Sequence, residues 1–156
     1  MRGARLAWRQ WGEDHEYPVL ALHGWLDNAA SFDALGPLLA GHRVIALDLP
    51  GHGLSDHRGA GGSYNIWDDL PDLVGLTQAL GLSRYALLGH SRGAASAALL
   101  AAIEAPAVST LVLLDGMLAP MFDPAQPVPQ LREFAHDYGR RTPREGKRFA
   151  SPAEAV

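Results

Sequence analysis

The arrangement with the clearest chemical content is Gly89-His90-Ser91-Arg92-Gly93. It lies between a short apolar run, residues 84–89, and an Ala- and Leu-rich stretch, residues 92–104. A chain forced from strand into helix within one residue leaves that residue strained and throws its side chain clear of the sheet. Glycine on either side lets the neighbouring backbone pass without a Cβ clash. A serine at a helix N-terminus also faces unpaired N–H groups and a dipole that favour developing negative charge. Ser91 is thus a candidate nucleophile. A glycine-rich helix cap with an incidental serine would use the same letters, but the flanking strand and helix favour the nucleophile.

His23-Gly24-Trp25 ends an earlier apolar run and offers a free backbone N–H at Trp25. The N–H that follows the nucleophile, at Arg92, would be its partner. Two such donors form an oxyanion hole, each typically worth about 3–4 kcal/mol. His23 itself reads as a buried structural histidine. Asp48-Leu49-Pro50-Gly51-His52-Gly53-Leu54-Ser55 reads as a tight structural turn. His52 and His57 do not fall at metal-ligand spacing on one regular element, so no metal site and no cofactor are expected.

These residues need elements to position them. Residues 5–11 read as a strand and Gly12-Glu13-Asp14 as a turn. Residues 18–24, 43–49, 84–89 and 109–114 are short apolar runs, the pattern of strands buried in a parallel sheet. Phe32, Leu35 and Leu39 recur at helical spacing and predict a helix over 28–40, capped by Ser31, with Pro37 forcing a late start or a kink. A second helix is predicted over 66–80, with Pro71 in its first turn and Gly81 ending it. A third covers 92–104. The alternation of strand and helix predicts an α/β fold: a mostly parallel sheet with right-handed crossovers and helices on both faces. Ligands bind such sheets beyond the carboxyl ends of the strands, where His23-Gly24, Asp48, Ser91 and Asp115 all fall. After residue 116 prolines punctuate a loop, residues 131–138 suit a short helix, and the tail is polar and Arg-rich.

Composition narrows the functional classes. The 156 residues include no cysteine, which excludes a disulfide framework, a thiolate metal site and a Cys nucleophile. With 13 Lys+Arg against 17 Asp+Glu the formal net charge is −4, which argues against a nucleic-acid partner. No apolar run approaches the roughly 18 residues of a membrane span, and residues 1–10 lack the apolar stretch of a signal peptide. The expectation is a cytoplasmic protein. A nucleotide-binding doubly wound domain is disfavoured, because no G-x-G-x-x-G follows the first apolar run and no P-loop occurs.

Three ordered stretches, residues 23–33, 48–55 and 89–93, resemble the α/β-hydrolase superfamily, and the first is closest to its serine hydrolase-like proteins. The resemblance runs from about Leu6 to about Gly116. It implies the three-layer α/β-hydrolase fold, incomplete here: residues 1–118 as the N-terminal part of the core and 119–156 as the start of a cap or a tail. It implies Ser91 as the nucleophile, the Trp25 and Arg92 amides as oxyanion donors, and hydrolysis of a small-molecule ester or another acyl bond through an acyl-enzyme. Haloalkane dehalogenases and epoxide hydrolases share the fold with Asp at the nucleophile position, so Ser91 argues against those chemistries. Two departures stand out. Arg92 replaces the apolar residue common after the nucleophile, which puts near the site either a cation favouring acidic substrates or a solvated arginine. In this superfamily the acid and then the histidine follow the nucleophile in chain order. Asp115, at a strand end, is a candidate for the acid. His136 is the only histidine after Ser91, and no further apolar strand follows it, so the base is expected beyond residue 156. The alternative is a half-domain or pseudoenzyme that binds a small molecule or a partner, including a homodimer that covers an unpaired sheet edge.

Overall fold

The computed structural model describes residues 5–14, 16–59 and 62–116, together with Arg132 and His136. By contacts the chain divides into the units Met1–Ala119 and Pro120–Val156. In the second unit Arg132 and His136 are exposed helical positions. The rest of the cap or tail segment, and most of the helix expected over 131–138, lie outside the described residues.

The first unit is built on five strands: β1 (Trp8–Trp11), β2 (Tyr17–Leu22), β3 (His42–Leu47), β4 (Tyr85–His90) and β5 (Val108–Leu114). Their order across the sheet is β1-β3-β2-β4-β5. The pairs β2–β3, β2–β4 and β4–β5 are parallel, and β1 runs antiparallel to β3. The central strands are apolar because side chains on both of their faces are buried. Leu20, Leu22, Ile45, Leu47 and Leu87 point to one face; there they meet Leu73 and Leu76 of α1 (Ile66–Ala79) and Ala97 and Leu100 of α2 (Arg92–Ile103). Val19, Ala21, Val44, Ala46, Ala86 and Leu88 point to the other, against Ala29 and Phe32.

That second face differs from the sequence expectation. The helix predicted over 28–40 is two 3-10 turns, Ala29–Phe32 and Gly36–Leu38. Asn28, not Ser31, caps the first, its side chain accepting the Ala30 N–H. Pro37 cannot donate a helical hydrogen bond. A Cβ on Gly36 would stand 2.4 Å from the Trp11 ring, so this segment follows the packing of β1 and not its own periodicity.

Pro71 likewise sits inside α1 and not in its first turn, because the helix begins at Ile66, as expected, with Asn65 as its N-cap. There the Asp68 carboxylate accepts the Asn65 N–H at 3.0 Å, half of a capping box. Pro71 and Trp67, whose carbonyl loses a partner to it, are both exposed, so water can take the place of the missing N–H. β5 is also not the buried strand that its apolar run predicts. Leu111, Val112 and Leu114 are 39%, 42% and 38% exposed, since β5 has one neighbouring strand among the described residues.

Candidate active site

The connection after β2 leads to β3 on one side, and the connection after β4 leads to β5 on the other. β2 and β4 are neighbours, so the crevice beyond their carboxyl ends is the switch point where open α/β sheets bind ligands. Ser91 and the Gly24-Trp25 turn stand on its two sides. A Cβ on Gly24 would come within 3.5 Å of the Ser91 Cβ and 3.0 Å of His90 Nδ1, so the two turns touch.

Ser91 has φ 49° and ψ −115°, outside the basins open to ordinary residues. It is exposed at the N-terminus of α2. The surroundings hold it there. Its N–H donates to the Leu114 carbonyl at 3.0 Å and its carbonyl accepts the Ala94 N–H at 3.0 Å. A Cβ on Gly93 would lie 2.2 Å from the Leu22 carbonyl oxygen, and one on Gly89 2.5 Å from Ala94 Cα. The flanking glycines are therefore set by close backbone approach. Leu26 and Asp115 are the other non-glycine residues with positive φ among the described residues, at 57° and 45°. All three lie just beyond strand ends on one edge of the sheet, where strain of about 1–3 kcal/mol each is commonly held by the surrounding structure.

Among the described residues no hydrogen bond occupies the Trp25 amide. Arg92 is the first residue of α2, where the opening amides have no intrahelical partner. The arrangement presents a serine hydroxyl beside a helix N-terminus and a free turn amide, a place for an oxygen that gains negative charge.

Two histidines and an aspartate build the wall beside Trp25. His23 is fully buried. Its Nε2 accepts the Leu49 N–H at 3.0 Å and its Nδ1–H donates to the Gly24 carbonyl at 2.7 Å, which assigns the neutral tautomer. Burial, with His52 adding to it, lowers its pKa. The His52 ring lies tilted against His23 at 5.1 Å and edge-on to Trp25 at 6.0 Å between centroids. Burial works against ionisation of Asp27, yet hydrogen bonds from Ser31 and Asn28, with His23 and His90 nearby, leave its carboxyl below the usual value. Asp48 ties the turn after β3 to the site. Its Oδ1 accepts the Ala29 N–H at 2.7 Å and its Oδ2 the Leu54 N–H at 2.8 Å.

The Arg92 side chain is neither a solvated arginine nor a free cation at the site. Its Nη2 meets Asp69 Oδ2 at 2.7 Å, and both side chains are largely buried, at 13% and 2% exposure. Its Cζ lies 5.5 Å from the Trp25 ring centroid. Asp69 also accepts from Ser96 Oγ at 3.2 Å and faces Arg58 at 3.5 Å. Burial raises the Asp69 pKa against the pull of Arg92, Ser96 and Arg58. Sequence reading missed Asp69. The available signal was its position: Asp69, Leu73, Leu76 and Thr77 form the buried stripe of α1, and a carboxylate in such a stripe needs a partner.

Asp115 is exposed just beyond β5. The backbone brings it close, since a Cβ on the following Gly116 would stand 2.9 Å from Ser91 Cα. His136 belongs to the second unit. No cluster of three or more metal-ligating side chains occurs among the described residues. No helix among them is long and apolar enough to cross a membrane.

Comparison with known proteins gives the family and the fold. A "Serine hydrolase-like protein" of Danio rerio is 42% identical over 106 residues, covering 67% of this chain and 32% of that protein. The crystal structure of a hypothetical protein from Pseudomonas aeruginosa PAO1 superposes with a TM-score of 0.79 at 40% identity, over 91% of this chain and 51% of that one. A thioesterase domain from the curacin biosynthetic pathway superposes with a TM-score of 0.76 at 29% identity, over 92% and 53%. The chain thus spans about a third of the first relative and about half of each solved structure. The family model for the alpha/beta hydrolase fold matches residues 17–152, from the start of β2 through the Ser91 turn and beyond, and this chain belongs to that family.

Proposed function

We propose that this chain is part of a serine hydrolase of the carboxylesterase type, with Ser91 as its nucleophile. The observation that carries the reading is the backbone of Ser91, held at φ 49° and ψ −115° with its side chain exposed at the head of α2. Ser91 Oγ attacks the carbonyl carbon of an uncharged ester while its proton passes to a base. The carbonyl oxygen, now an oxyanion, takes hydrogen bonds from the Trp25 and Arg92 amides. Collapse breaks the ester C–O bond, and the alcohol leaves with the proton. Water then cleaves the acyl-enzyme and frees the acid and Ser91. The base is a histidine in the part of the fold that the relatives have and this chain does not span. Asp115, just beyond β5, is the candidate for the acid that orients it.

A second reading has its own support. Among the described residues β5 has one neighbouring strand and leaves Leu111, Val112 and Leu114 exposed. On that reading the chain is a binding module, or pairs with a second copy along β5, and turns over no ester.

Fluorophosphonate labelling of the full-length protein, which includes the segments that this chain does not span, followed by peptide mass mapping separates the two. The hydrolase reading expects the adduct on Ser91, and none in Ser91→Ala. An adduct that persists elsewhere in Ser91→Ala overturns the assignment. A folded wild-type protein that takes no label favours the binding module.

A further inference from the structure

We infer that Asp69 is a positioning residue that sets both oxyanion amides through Arg92; this rests on the proposed role of Ser91. An arginine at the first position of a helix places positive charge at the positive end of the helix dipole, an unfavourable site for it. Here the charge is turned back into the protein. Arg92 Nη2 is held by Asp69 Oδ2 at 2.7 Å and donates to the Tyr64 carbonyl at 3.4 Å. Its Cζ stands 5.5 Å from the Trp25 ring. One buried carboxylate on α1 therefore reaches both turns of the switch point: the Ser91-Arg92 turn through the Arg92 backbone, and the Gly24-Trp25 turn through the stacked ring.

Asp69 is itself fixed. It is 2% exposed, Ser96 Oγ donates to it at 3.2 Å, and Arg58 faces its other oxygen at 3.5 Å. Arg58 is shared with Asp72 at 2.7 Å and donates to the Asp68 carbonyl at 2.8 Å. Thus α1 holds the pair from several directions. Stability alone does not explain such a pair, because buried ion pairs are often replaceable by apolar residues without loss. Geometry does. Losing one oxyanion donor typically slows an acyl transfer about 100- to 1,000-fold, and donors must be held to within about 0.5 Å to act. A charged, hydrogen-bonded clamp holds that tolerance better than a flexible apolar contact. It also withdraws the Arg92 charge from the crevice, which suits an uncharged acyl group and not an acidic one.

The test compares the full-length protein as wild type, Asp69→Asn, Arg92→Met and Asp69→Asn/Arg92→Met. It reads the second-order rate of Ser91 labelling by a neutral fluorophosphonate, the thermal midpoint, and hydrogen exchange of the Ala94 amide, which closes the turn on Ser91. Asp69→Asn is expected to slow labelling about 10-fold or more and to raise Ala94 exchange by a similar factor, with Leu20 in β2 as the unchanged control. Asp69→Asn leaves a buried arginine unpaired and can fail to fold, so the double variant carries the decision. It is expected to regain most of the thermal midpoint while its labelling stays near the slow rate of Arg92→Met. Wild-type labelling by the double variant, or by a folded Asp69→Asn, overturns the inference. If wild-type Ser91 takes no label, the hydrolase reading fails by itself, and Ala94 exchange still decides whether Asp69 holds the turn.

Discussion

The Ser91 turn and the β5 edge lie side by side in the sheet and are built in opposite ways. At the turn, a carbonyl from β2 stands where a Gly93 Cβ would go, a carbonyl at the end of β5 accepts the Ser91 N–H, and a buried ion pair anchors the next side chain. Every neighbour constrains it, and the strained Ser91 backbone persists because of them. The β5 strand carries residues as apolar as those of β4, yet it is half open, with Leu111, Val112 and Leu114 all above one-third exposed. An apolar face of β4 and β5, formed by Ala86, Leu88, Thr110, Val112 and Leu114, lines a cleft with Tyr17, Leu35 and His42. The contrast teaches that an apolar run specifies a strand, whereas the count of neighbours decides whether it is core.

Substitutions at the two places should separate sharply. Gly93→Ala drives a Cβ to 2.2 Å from the Leu22 backbone oxygen, which cannot move aside without bending β2. We expect a loss of about 3 kcal/mol or more in urea unfolding; a loss under about 1 kcal/mol would mean that the turn is looser than it stands here.

Next in size is the acid response of the wall beside the turn. His23 has a folded pKa below 6.5, from burial first, with His52 opposing the charged form and Asp27 and Asp48 favouring it. As pH falls below 6.5 the unfolded chain takes up a proton that the folded chain refuses. Stability therefore falls on acidification, by at most about 1.4 kcal/mol per pH unit for one group. Asp69 acts in the opposite sense: its folded pKa lies above 3.8, so it withdraws stability as pH rises from that value. Urea midpoints between pH 7.5 and 5 should decline for wild type. A flat or rising profile in Asp69→Asn/Arg92→Met, where the opposing carboxylate is gone, would show that His23 is not held neutral.

Ser91→Gly should relieve the backbone at φ 49° and stabilise the protein by about 1 kcal/mol while abolishing labelling. Unchanged or lower stability would mean that the turn holds no strain. The smallest effect belongs to the edge. Val112→Lys should change stability by no more than about 0.5 kcal/mol, and it should reduce any concentration-dependent self-association seen by sedimentation. A loss as large as that of Gly93→Ala would show that β5 is core after all.

Much of this was readable from local patterns. β2, β3 and β4 fall within about two residues of their apolar runs, α2 starts at Arg92 as expected, and Gly81, at φ 65°, follows the end of α1. Ser91 was legible because the turn is made by its immediate neighbours, Gly89 and Gly93. The segment 28–40 misled because its spacing was helical while Gly36 had to lie flat against Trp11, a residue from another strand. Asp69 was passed over because its partner, Arg92, lies on a different helix.

What the sequence by itself determined is the set of strands, their alternation with helices, and the serine turn, because each depends on hydrophobic periodicity and glycine placement over a few residues. Only the tertiary structure decided that Trp25 and Ser91 meet at one switch point, that Arg92 turns inward to Asp69, and that residues 28–40 form two 3-10 turns. Those outcomes are set by contacts between segments far apart in the chain, which no local pattern encodes.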